Sequence, residues 1–170
     1  MAAIAYTSGM RCIAFVLLCA VAFGSCAFAQ APPGLSTGQL LYLPIYSHVW
    51  HGEVDANGQP EKSLVSVLVS VRNTDASKSI QVESARYYDT DGKLLREYMK
   101  APRTIAPMGT YELFVPRSDD TGGSGANFVI SWKAERSSNP PIVEALHVNL
   151  PAGRSIAFIT SARELSRAAH

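Results

Sequence analysis

The chain has 170 residues, 47% of them hydrophobic and 17% charged, with a formal net charge of +1. That is enough chain and enough apolar material for one domain with its own core, and the composition excludes disorder, collagen and coiled coil. The 15 basic and 14 acidic residues nearly cancel, so the basic excess expected of a nucleic-acid binder is missing.

The first predicted element is an export signal over residues 1–29. Cys12 to Phe23 form an uncharged apolar run behind Arg11, and Ala27-Phe28-Ala29 puts small residues at the −3 and −1 positions of a signal-peptidase site. Cleavage there makes Gln30 the first mature residue and sends the domain to the periplasm or out of the cell. Met10-Arg11 offers an alternative start. A retained anchor needs about 20 apolar residues, more than this run supplies. Phe23-Gly24-Ser25-Cys26 resembles a lipobox, and processing there would instead tether the domain to a membrane through Cys26. All three cysteines lie at positions 12, 19 and 26. A mature domain from Gln30 therefore has no disulfide, no thiolate nucleophile and no cysteine metal site.

Residues 30–38 are rich in Pro and Gly and read as an extended linker. From there the period is two almost everywhere. Leu41, Leu43, Ile45 and Val49 mark one face of a first strand; Val65, Val67, Val69 and Val71 mark the clearest one, with Ser66, Ser70 and Arg72 opposite. Further strands are expected near Ile80–Tyr88, Lys93–Met99, Tyr111–Val115, Phe128–Glu135, Ile142–Val148 and Ser155–Ser161. Asp91-Gly92 suits a two-residue type I′ hairpin turn. Only Ala162–Ala169 has any helical character, and residues 164–170 read as a tail. Seven or eight strands with regular turns predict an all-β domain over residues 39–163, a single two-sheet β-sandwich, immunoglobulin-like in outline.

Four blocks of this sequence carry a family resemblance. They are Leu43-Pro44-Ile45-Tyr46-Ser47-His48-Val49-Trp50-His51-Gly52, Ser70-Val71-Arg72-Asn73-Thr74-Asp75, Tyr87-Tyr88-Asp89-Thr90-Asp91-Gly92-Lys93-Leu94 and Gly122-Gly123-Ser124-Gly125-Ala126-Asn127-Phe128. Over residues 38 to 163 the chain resembles a bacterial family known as domain of unknown function 3124. The resemblance implies a small exported protein and supplies no activity, substrate or catalytic residue.

Function must then be read from side chains. His48 and His51 have an H-x-x-H spacing, but on a strand they point to opposite faces, and zinc needs three or four ligands. Asp89-Thr90-Asp91-Gly92 lacks the Gly at position 6 and Glu at position 12 of a calcium loop. Gly122-Gly123-Ser124-Gly125-Ala126 approaches a nucleophile elbow, yet a β pattern follows where that motif needs a helix. Asp120-Thr121-Gly122 matches the triplet of aspartic proteases, which need two carboxylates sharing a proton. The loop Ser118–Asn127 is long for a hairpin connection. Its glycines leave N–H groups open to an anion, while Asp119 and Asp120 would repel one or satisfy those groups themselves.

No catalytic set has the spacing its chemistry requires, and no cofactor or metal is called for. The expectation is a non-catalytic exported module. Tyr42, Tyr46, His48 and Trp50 would line the face opposite Leu41, Leu43 and Ile45 and bind a protein, peptide or glycan partner together with Asp119 and Asp120. The same row could instead be covered by the chain itself. The enzyme alternative is a small hydrolase or metal-dependent enzyme centred on Asp119 and Asp120 or on His48 and His51.

Overall fold

The computed structural model describes residues 34–167. The export signal, the cysteines and residues 30–33 of the lead lie outside them. The described residues form β1 (Ser36–Pro44), β2 (His48–Val54), β3 (Pro60–Leu64), β4 (Ser66–Arg72), β5 (Ile80–Tyr88), β6 (Leu94–Glu97), β7 (Arg103–Ile105), β8 (Thr110–Val115), β9 (Asn127–Ser138), β10 (Ile142–Asn149), β11 (Ile156–Ser161) and β12 (Arg163–Arg167). One antiparallel sheet runs β12-β1-β9-β5-β6, with β7 also paired to β5. A second runs β11-β10-β4-β8, and β2 and β3 pair only with each other.

The expected β-sandwich is thus present, with twelve strands in place of seven or eight. Four differences account for the count, one of them β3, a strand the sequence pattern did not predict. The first predicted strand is two: the chain leaves the sheet after Pro44 and starts the separate hairpin at His48. The short β7 carries no alternation of its own. The segment read as a tail or short helix pairs as β12 with β1, Leu41 opposite Glu164. At the other end β1 already begins at Ser36, inside the predicted linker, and Ser36 is buried.

The core is the alternation made solid. Leu41, Leu43, Val82, Ala85, Tyr87, Phe128, Ile130 and Trp132 from the larger sheet meet Val67, Val69, Val71, Leu113, Val115, Val143 and Ala145 from the smaller. Each fully buried Val, Leu or Phe contributes roughly 1.5–3 kcal/mol relative to exposure. Polar groups close the ends. The Trp132 indole N–H donates to Gln39 Oε1 at 3.1 Å, and Gln39 Nε2 donates to Glu164 Oε2 at 2.6 Å. The Asn73 amide donates to the carbonyls of Lys78, Ile105 and Ala106. Asp75 accepts from the N–H groups of Ser77, Lys78 and Asn139.

The β5–β6 turn differs in type from the expected one. The Gly92 N–H donates to Asp89 O at 3.1 Å, the Asp89 N–H to Lys93 O at 3.0 Å, and only Gly92 has a positive φ, +80°. A type I′ turn needs positive φ at both central residues; this is a longer loop closed by a left-handed glycine. No atom lies within 4 Å of a Cβ placed on Gly92, so backbone conformation alone demands the glycine. Replacing Gly92 with Val is expected to lower unfolding free energy by about 1–2 kcal/mol, the cost of a side chain in that region, measured by urea denaturation.

Candidate functional site

Between β1 and β2 the chain trades strand partners for a loop. The Ile45 N–H donates to Ala126 O at 2.8 Å and the Ser47 N–H to Gly123 O at 3.0 Å. Ile45, Ser47 and His48 are all buried, so the alternation breaks here. The predicted aromatic row breaks with it. Tyr42 stays in the larger sheet, opposite Val129 and Arg163. Tyr46 turns edge-on to His147 and Phe158 across the sandwich. Trp50 stands on the hairpin, 46% exposed.

Cross-strand partners in the hairpin share a face. His48 opposes Leu64 and Trp50 opposes Lys62; Val49 opposes Ser63 and His51 opposes Glu61. The first face meets the loop after β8. Lys62 Nζ donates to Asp120 Oδ2 at 2.7 Å, and this lysine holds the Asp120 carboxyl below its usual range. The His48 ring lies edge-on to Trp50 at 4.9 Å. Burial, then Lys62, lowers the His48 pKa, against an opposing pull from Asp120. Asp119 sits 3.7 Å from Arg96, and Arg96 lies over the Tyr98 ring at 5.3 Å. The structure therefore brings His48, Trp50 and Asp120 to one end of the sandwich, with Asp119 beside them, and leaves Tyr42 and Tyr46 elsewhere.

The loop is spent on its own architecture. Asp119 Oδ1 accepts from the Thr121 hydroxyl at 2.6 Å. Gly122 O accepts from the Thr90 N–H at 2.9 Å and its hydroxyl at 3.1 Å, and the Gly125 N–H donates to Thr90 Oγ1 at 3.0 Å. A Cβ on Gly122 would collide with the Tyr87 hydroxyl and with Ala126. The glycines thus fit the loop against Tyr87 and Thr90 rather than baring N–H groups to an anion.

Catalytic pairings are not assembled around these groups. Asp120 is paired with a lysine rather than with a second carboxyl, which opposes proton sharing. His51 lies on the other hairpin face, 2.7 Å from Ser63 Oγ and 3.6 Å from Glu61. Among the described residues no three His, Cys, Asp or Glu are grouped to hold a metal ion.

Three features escaped the sequence reading. His147 is fully buried, its ring stacked on Phe158 at 4.4 Å, and its Nε2 accepts the Tyr46 N–H at 3.1 Å. Burial drives its pKa down to about 4, with the Ala145 and Phe158 carbonyls opposing part of the shift. The inward parity of Val143 and Ala145 already pointed to it. Phe114, Leu68, Leu146 and Ile159 form a cross-strand apolar row on the outer face of the smaller sheet, and all but Leu68 are exposed. Only the register reveals that row. Lastly, Val49, His51 and Ser63 face Asn149, Pro151, Arg154 and Ile156 across a groove of about 480 Å³. Nothing in the sequence brings those segments together.

The family model described as "Protein of unknown function (DUF3124)" matches residues 38–165. No curated protein matches the sequence. A solved structure described as "Crystal Structure of Thermotoga maritima 1070" is similar at a TM-score of 0.42 and 8% identity, covering 76% of this chain and 97% of that chain.

The buried His147 sets a pH dependence. Its folded pKa, about 4, lies below the ordinary 6.5. Above pH 6.5 both states are neutral and the difference costs nothing. As pH falls from 6.5 toward 4, the unfolded chain takes a proton that the folded one refuses, so stability drops by on the order of 3 kcal/mol. Urea melts across that window are expected to show the fall. Replacing His147 with Phe should remove most of it, leaving the smaller share of His48.

Proposed function

Given that this chain belongs to the DUF3124 family of proteins of unknown function, we propose from its own geometry that it is an exported, non-catalytic binding module. Its contact surface is the β2–β3 hairpin face bearing Trp50. The observation that carries the reading is a half-exposed tryptophan on a rigid mount. Lys62, the cross-strand neighbour of Trp50, is anchored to Asp120, and the His48 ring backs the indole from below. A large amphipathic ring held in place loses little freedom on binding, which is why such rings serve as anchors at interfaces. The hairpin pairs with neither large sheet, so its strand edges add backbone donors and acceptors suited to a protein partner. Export rests on the uncharged Cys12–Phe23 run and the Ala27-Phe28-Ala29 site.

Two measurements test this. Mass spectrometry of the protein from its native host is expected to find a mature form beginning at Gln30. A form beginning at an acylated Cys26 would put the module on a membrane, and an unprocessed form would contradict export. For the surface, Trp50→Ala and Lys62→Glu variants are compared with the wild type in cross-linking with envelope extracts. Loss of the same identified partner in both, with melting temperature unchanged, is the expected result. Equal recovery by all three proteins would contradict the assignment of the surface. A hydrolytic activity lost in a folded Asp120→Asn variant would contradict the non-catalytic reading.

A further inference from the structure

The second face of the hairpin borders a site of different chemistry. Its groove, about 480 Å³, is floored by Val49, Pro151 and Ile156 and edged by Ser63, Ser155 and Arg154. It runs past the β3 edge into a second recess of about 450 Å³, which reaches Arg117 and shares Ser63 and Asn149 with the first. A volume of this size suits a small organic molecule.

The charges around it are one-sided. Neither lining contains an Asp or Glu. Neither Arg117 nor Arg154 takes part in an ion pair among the described residues. Among the described residues the Arg117 side chain makes one hydrogen bond, a long 3.4 Å one from Nη1 to Asn149 Oδ1. The other two basic groups nearby are already engaged: Lys62 by Asp120, and His51 by Ser63 and Glu61. A third recess, about 580 Å³, also carries basic residues in its lining, Lys78, Lys133 and Arg136, but together with Glu135. There Lys78 donates to Ser137 O at 2.6 Å, and Lys133 is paired with Glu83. Two guanidinium groups without a carboxylate partner thus stand at adjoining recesses that share Asn149, beside an apolar floor and with no acid in either lining.

We infer that this groove binds an organic anion. The carboxylate or phosphate takes the Arg117 and Arg154 forks on either side of Asn149, and the apolar body lies on Val49, Pro151 and Ile156. Guanidinium groups match such oxyanions in a bidentate manner. Ser63 and Ser155 supply hydroxyls for polar substituents. Its apolar floor lies against the opposite hairpin face from Trp50, while the Arg117 recess reaches round to Lys62 and Leu64; the inference does not rest on the Trp50 surface binding a protein.

The test is an amide chemical-shift titration of the mature domain with sodium octanoate, octyl phosphate and the neutral octanamide. Saturable shifts confined to Ser63, Asn149, Ser155 and their neighbours are expected for both anions, weakening with added salt. The amide should bind far more weakly. Which anion binds tighter distinguishes a carboxylate site from a phosphate site. Arg117→Gln and Arg154→Gln remove exposed side chains, so both variants should keep the wild-type melting temperature while losing roughly tenfold or more in affinity. Absence of saturable shifts, equal binding of octanamide, or undiminished binding in the folded double variant would overturn the inference. Shifts centred on Trp50 would overturn it too, and would speak instead for the other hairpin face.

Discussion

The Tyr87 side chain is the constraint around which the functional end of this sandwich is built. It is buried in the larger sheet, stacked on Phe128 at 4.9 Å, with Tyr98 edge-on at 6.0 Å. Its hydroxyl shares a 3.0 Å hydrogen bond with Ser47, in the segment joining β1 to β2. Gly122 packs against the same hydroxyl with no room for a side chain. Burial raises the Tyr87 pKa, so the neutral phenol is retained across ordinary pH. One phenol thus holds a sheet, a chain crossing and a loop together. A buried hydroxyl without a partner costs roughly 1–3 kcal/mol, which makes the Ser47 contact one the fold cannot lightly lose.

From that knot the rest of the site follows. With Ser47 fixed and its N–H on Gly123 O, the chain is aimed away from both sheets and returns as an independent hairpin. The loop carrying Asp120 lies where Lys62 can reach it. The hairpin consequently presents two chemically distinct faces: an indole with a neutralised ion pair on one, and Val49, His51 and Ser63, which line the groove toward Pro151, Arg154 and Ile156, on the other. Three of the four blocks that carry the family resemblance meet here, through Ser47, through Tyr87 and Thr90, and through Gly122 and Gly123. The fourth, with Asn73 and Asp75, ties loops together elsewhere. Those blocks accordingly supply architecture, with Trp50 the exposed aromatic within the first of them.

How much of this was legible in the sequence divides along the range of the interactions. Alternation identified β4, β5, β9 and β10 and the inward set Leu41, Leu43, Val67, Val69 and Val71, because burial acts with the period of the strand itself. It failed between Pro44 and His48. There Ile45, Ser47 and His48 are buried by a loop far away in sequence, and period two carries no information about such cover. The aromatic row of Tyr42, Tyr46 and Trp50 was drawn by running one period through that break. Opposite faces for His48 and His51 were read correctly because both lie within one strand. The Lys62–Asp120 pair, the Arg117–Asn149 contact and the outer row of Phe114, Leu68, Leu146 and Ile159 depend on tertiary placement or strand register, which local pattern does not specify.

The central claim is that the Ser118–Asn127 loop is a packed part of the core end, clamped on Tyr87, and not an open glycine loop awaiting a ligand. Urea denaturation of a Gly122→Ala variant tests it most directly, since one added methyl group enters the space of the Tyr87 hydroxyl. The account predicts a loss of about 2 kcal/mol or more, as for overpacking of a dense interior. A variant within ~0.5 kcal/mol of the wild type, the range of an ordinary surface substitution, would contradict it.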